Sequence, residues 1–150
     1  DRSISERLAS AQDRLGSERV LFVHSSEGFD EFVLGGPSYV TEFDRERGVR
    51  SYEVDATEFG LGRASAAAVM GGDAKRNVEI TRSVLEGATG PYRDVVILNA
   101  GAGIYAAGMA DSIAEGIAIA IDSLDSGAAA SALDRMVLVS KRPAEQGAVA

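Results

Sequence analysis

Among the acids of this chain, one adjacent pair is placed to do chemistry: Asp30 and Glu31, which close the run Val23-His24-Ser25-Ser26-Glu27-Gly28-Phe29. The residues before it, 20–23, form an unbroken apolar run rich in β-branched and aromatic side chains, the pattern of a strand buried on both faces. In open α/β sheets ligands bind beyond the carboxyl ends of strands, so the turn from His24 to Glu31 is the first place to look for a site. Gly28 permits a sharp bend there. Two neighbouring carboxylates on such a turn suit Mg²⁺, a hard cation that takes oxygen ligands and is often shared with substrate phosphates. Taken alone, two adjacent acids are more often solvated than metal-bound.

Other motifs have competing explanations. Gly101-Ala102-Gly103-Ile104-Tyr105-Ala106 has the spacing of a dinucleotide fingerprint after the apolar residues 95–98, and Asp122 lies at about the distance of a ribose-binding acid. A fingerprint starts a βαβ unit, yet only helix-like sequence follows Gly103, so close helix packing is the preferred explanation. Asn99-Ala100-Gly101 is similar to a triplet of short-chain dehydrogenases, but Met109 stands where their lysine would follow Tyr105. Gly71-Gly72-Asp73 could cradle a phosphate at a helix N-terminus, but Asp73 would repel it, which favours a capping role. His24 is the only histidine, which excludes a multi-histidine zinc site, and spacing gives it no triad partners.

The elements that must position these residues can be read from periodicity. Ile4, Leu8, Ala11 and Leu15 predict an amphipathic helix over residues 3–15, ended by Gly16. Residues 32–34 suggest a second short strand before the Gly35-Gly36-Pro37 break. Residues 39–43 and 49–54 alternate as a hairpin, with Glu42, Arg50 and Glu53 on an outward, solvated face. A short apolar helix is expected over 64–70, and a second, capped by Asp73, over 74–86 with Val78, Ile80, Val84 and Leu85 as its stripe. Residues 95–110 suit strand or helix by periodicity alone. Ser112-x-x-Glu115 opens a helix over 111–125, and another spans 128–140, leaving a tail from Lys141 with little to pack. No internal repeat or linker divides the chain.

With 150 residues and 45% hydrophobic content, one globular domain is expected. A net charge of −8 argues against sequence-independent binding to nucleic acid or an anionic membrane. The absence of cysteine excludes disulfides and thiolate metal sites. Neither a membrane-length apolar run nor a signal peptide is evident, and a cytoplasmic location is the expectation. The chain begins at Asp1 on a helix that lacks a preceding strand, which suggests a piece of something longer.

Taken in order, these residues resemble the carboxy-terminal half of the anthranilate phosphoribosyltransferases. The resemblance runs through His24, Gly28-Phe29-Asp30-Glu31, Gly36-Pro37, Phe59-Gly60-Leu61, Gly71-Gly72-Asp73 with Asn77, Leu85-Glu86-Gly87 and Arg93-Asp94 to Asn99-Ala100. It continues through Tyr105 to Gly108, Glu115-Gly116, Ile121-Asp122-Ser123 and Asp125-Ser126-Gly127, covering nearly all of residues 5–140.

The resemblance implies an α/β fold: part of a nucleoside phosphorylase/phosphoribosyltransferase-like domain, an open mixed sheet flanked by helices, with residues 94–108 helical. It implies transfer of phosphoribosyl from phosphoribosyl pyrophosphate to anthranilate in tryptophan biosynthesis, with release of pyrophosphate and Mg²⁺ as cofactor. Asp30 and Glu31 would be the metal ligands. The family's phosphate loop, Lys-His-Gly segment and anthranilate-positioning Arg and Asn belong to an amino-terminal half that this sequence lacks. So does the helical domain through which the family forms homodimers. The chain is therefore expected to be inactive alone. Two alternatives are a phosphorylase-like or phosphoribosyltransferase-like enzyme with another acceptor, and a non-catalytic truncated scaffold.

Overall fold

A computed structural model describes residues 2–141; Asp1 and the tail after Lys141 lie outside the described residues. Helix α1 (Arg2–Arg14) is followed by a three-stranded antiparallel sheet, β1 (Arg19–Ser25), β2 (Ser38–Asp44) and β3 (Gly48–Val54), in the order β1-β2-β3. Two 3₁₀ turns, Ala56–Phe59 and Ala66–Val69, lead into α2 (Ala74–Leu85), α3 (Pro91–Ala106), α4 (Ile113–Asp125) and α5 (Ala128–Ser140). The expected α/β class stands, and within the described residues every strand pairing is antiparallel. No single helix among them is long and apolar enough to cross a membrane.

Strand β2 is the centre of the sheet, and six of its seven residues are buried. Helix α1 packs across all three strands, while α3 meets the sheet through Tyr105. Burial of alternate residues on both faces of β2 corrects the expectation that Glu42 points to solvent: Glu42 is 0% exposed. Conversely β1, expected to be buried on both faces, pairs among the described residues only with β2 and is half-buried along most of its length.

Residues 32–34 are not a strand. Phe32, Val33 and Leu34 are buried in the core, but their backbone turns irregularly and is satisfied by side chains: Asn99 bonds Phe32, and Ser38 Oγ accepts from Val33 N–H at 3.2 Å. Apolar character specified burial here without specifying a ladder. The segment expected to be helical over 64–70 is helical only as the 3₁₀ turn at Ala66–Val69.

The tract that periodicity left open is helix α3. Pro91 stands in its first turn, where its missing N–H costs nothing. The face presented to α4 is made by small residues. A Cβ on Gly101 would lie 2.7 Å from the backbone nitrogen of Ile117, and one on Gly116 would collide with the Gly101 carbonyl. Gly101 therefore serves helix contact, as the packing explanation requires, and the dinucleotide reading has no support in the fold. Ser112 caps α4 by accepting from Glu115 N–H at 3.1 Å, and Asp73 caps α2 by accepting from Arg76 N–H at 2.8 Å. Core residues Leu98, Ile97, Ile117 and Leu124 join this helical layer to Val40, Val54 and Phe32.

Candidate metal-binding turn

The site begins with Ser25, the fully buried last residue of β1. Its N–H donates to the Phe29 carbonyl and its Oγ accepts from Phe29 N–H, each at 2.9 Å. Gly28 N–H closes the turn onto the Ser25 carbonyl at 3.1 Å, and its φ of +86° is one that a side chain would disfavour. The turn sequence and the buried serine together fix the entrance to the two residues that follow.

Asp30 and Glu31 follow at the outer end of this turn. Both are exposed, and neither makes a hydrogen bond or ion pair among the described residues. The chain then dives into the core at Phe32, whose N–H donates to Asn99 Oδ1 at 3.0 Å and whose carbonyl accepts from Asn99 Nδ2 at 2.9 Å. The return to β2 is equally fixed. Ser26 N–H donates to the Pro37 carbonyl at 2.9 Å, and Glu27 and Ser26 lie so close over Gly35 and Gly36 that a Cβ would come within 2.6 Å and 2.5 Å of their oxygens. Arg63 donates to the Gly35 carbonyl at 3.1 Å and pairs with Asp55 at 2.5 Å. Asp55 is held below the usual carboxylate range, chiefly by hydrogen bonds from Thr57, with Arg63 adding to the effect.

A cavity of about 210 Å³ opens beside the turn, its lining including Glu27, Phe29 and Glu31 of the turn together with Val69 and Met70. The donor set can hold a hard cation: two uncommitted carboxylates on a fastened backbone supply oxygens, and a Mg²⁺ ion commonly takes only one or two protein carboxylates, completing its shell with water and phosphate. Among the described residues no group of three metal-ligating side chains forms a closed protein cage. Of the pair, Glu31 lines the cavity and Asp30 is not among its lining residues, so an open site on the turn is the most these two carboxylates could offer.

The remaining sequence candidates fall elsewhere. His24 leaves the turn and lies against Tyr39, its partner across β1 and β2, with ring centroids 5.5 Å apart. Gly72 is held by Asn77, which accepts from its N–H at 2.8 Å and donates to its carbonyl at 3.1 Å, so this segment is a helix start closed by its own side chains. Tyr105 is buried and donates to Glu42 Oε1 at 2.7 Å.

Sequence reasoning missed two features. The first is the cluster around Glu42, whose Oε2 accepts from Tyr52 at 2.7 Å and from Arg50 at 2.9 Å, while Arg19 stacks over the Tyr105 ring and donates to Asp44. Burial, reinforced by the bond to Glu42, pushes both tyrosine hydroxyls up. Burial alone would also raise the Asp44 carboxyl, but the Arg19 guanidinium and the N–H groups of Arg47 and Glu46 outweigh it and hold it below the usual range. The second is Asn99. A polar amide between Leu98 and Ala100, in an otherwise apolar stretch of helix, was its available signal.

The family model described as the glycosyl transferase family, a/b domain, matches residues 1–130. Among curated proteins, the anthranilate phosphoribosyltransferase of Rubrobacter xylanophilus is 49% identical over 142 residues, which is 94% of this chain and 41% of that protein. Among solved structures, the anthranilate phosphoribosyltransferase of Thermus thermophilus superposes with a TM-score of 0.76 at 43% identity, over 87% of this chain and 38% of that one. The Saccharomyces cerevisiae enzyme in complex with PRPP and Mg gives 0.68 at 23% identity, over 76% of this chain and 33% of its own, a likeness of fold. The chain thus spans about two fifths of the length of the relatives it matches. With the match running through the sheet, the acidic turn and the helices that support it, the chain belongs to the glycosyl transferase family and lies in its a/b domain.

Proposed function

We propose that this chain is the carboxy-terminal part of the large α/β domain of an anthranilate phosphoribosyltransferase, and that Asp30 and Glu31 hold its Mg²⁺. The observation that carries the reading is the pair of uncommitted carboxylates at the tip of a turn whose backbone is tied on both sides. The S. cerevisiae relative is described with both PRPP and Mg bound, which agrees with a metal in the family fold. When bound, the cation would offset the charge of the departing diphosphate.

The chain's own residues do the positioning. Ser25 and Gly28 set the turn, and Phe32 anchors it in the core, so the backbone beneath the two carboxylates is already ordered before a ligand arrives. Glu27 and Arg63 brace the return through Gly35. The amino-terminal phosphate loop and acceptor pocket complete the enzyme in this reading, as does the helical domain through which it dimerises in the cytoplasm.

The test is Mg²⁺-dependent phosphoribosyl transfer to anthranilate by the complete enzyme. Asp30→Ala with Glu31→Ala should lower the rate by about 100-fold or more. An unchanged rate and Mg²⁺ dependence would remove the role assigned to the pair.

A further inference from the structure

The two acids sit between two residues whose backbones are each held twice. On one side, both the N–H and the carbonyl of Phe29 bond to Ser25. On the other, both the N–H and the carbonyl of Phe32 bond to the Asn99 amide, at 3.0 and 2.9 Å. The first clasp is local, four residues away. The second reaches across 67 residues from the middle of α3 and fixes the peptide unit that joins Glu31 to Phe32.

Asn99 is itself held in one orientation. Its Nδ2 also donates to the Val95 carbonyl one turn back in α3, at 2.9 Å. Exchanging its oxygen and nitrogen would set an acceptor against both the Val95 and the Phe32 carbonyls, so a single amide orientation satisfies all three contacts. Among the described residues, 32–34 have no strand partner, and there the Asn99 amide is the acceptor of the buried Phe32 N–H.

We propose that Asn99 is a positioning residue for the metal turn: its amide locks the Glu31–Phe32 peptide, so α3 determines how well Glu31 and Asp30 present their oxygens to a divalent cation. This rests on the metal reading above. Outer partners that orient metal ligands commonly change metal affinity by ~10–100-fold when removed. Ser25 alone fixes only the entrance of the turn; Asn99 fixes its exit.

The experiment uses the complete enzyme and Mg²⁺ as probe. In Asn99→Ala the half-saturating Mg²⁺ concentration should rise about 10-fold, while kcat at saturating Mg²⁺ falls less than about threefold. Amide exchange at Phe32 should quicken. Val84→Ala, a buried substitution on α2, serves as the control for general destabilisation and should leave Mg²⁺ half-saturation unchanged. The proposal is overturned if Asn99→Ala leaves half-saturation unmoved, or if Val84→Ala moves it equally.

Failure of the metal reading is recognised separately, through Asp30→Ala with Glu31→Ala that leaves Mg²⁺ dependence intact. In that case Phe32 exchange decides on the clasp: acceleration in Asn99→Ala with none in Val84→Ala supports it, and equal protection in the two variants overturns it.

Discussion

Glu42 illustrates how much a single side chain can organise here. A carboxylate with no exposure is tolerable because two phenols and a guanidinium saturate its oxygens. Glu42→Ala would leave Tyr52 and Tyr105 without their carboxylate acceptor and Arg50 without its ion-pair partner. The expected cost is about 2–4 kcal/mol, less than for a wholly buried pair because Arg50 is half exposed and can rehydrate; thermal or urea unfolding of the variant measures it. Asp44 makes a pH-dependent contribution. Its folded pKa is lowered, so the stabilisation is fully present above the unfolded value of about 3.9 and is lost as pH falls through the folded one. Asp44→Asn should therefore be less stable than the parent by about 1–2 kcal/mol at neutral pH, with the difference shrinking below about pH 4. An unfolding series from acid to neutral pH checks the sign.

Elements were legible where a terminus had its own chemistry. Asp73 and Ser112 marked the starts of α2 and α4, and both accept the N–H groups expected of caps. The hairpin of β2 and β3 was visible in its alternation, but alternation does not reveal what covers each face. That is why Glu42 was placed outside, although α1 packs against β2 and Tyr105 of α3 reaches the Glu42 carboxylate. Residues 32–34 were misread for a related reason: a buried irregular segment has the composition of a strand, and its partners, Asn99 and Ser38, lie elsewhere in sequence. The acidic pair and its turn could be proposed from sequence because they are contiguous, whereas Asn99, which bonds the neighbouring Phe32 backbone, is remote in sequence.

The α3–α4 contact gives a prediction at this scale. Gly101 and Gly116 let the two backbones touch, so Gly116→Ala must push the helices apart at the Gly101 carbonyl. A loss of about 1–3 kcal/mol is expected, read as a lower melting temperature. An unchanged melting temperature would mean that the interface relaxes freely.

At the scale of the molecule, the sheet, the acidic turn and the helical layer lie within the a/b domain of the glycosyl transferase family. The chain spans about two fifths of the relatives' length. The 150-residue chain alone is accordingly predicted to show no phosphoribosyl transfer, and measurable turnover by it would contradict the division of labour proposed here.

Where the metal sits can be measured directly. Crystals of the complete enzyme grown with Mn²⁺ and pyrophosphate would locate it through the anomalous signal of the manganese. The expected result is a peak at about 2.1 Å from carboxylate oxygens of Asp30 and Glu31. A well-occupied peak on other ligands, with these two carboxylates facing water, would contradict the assignment.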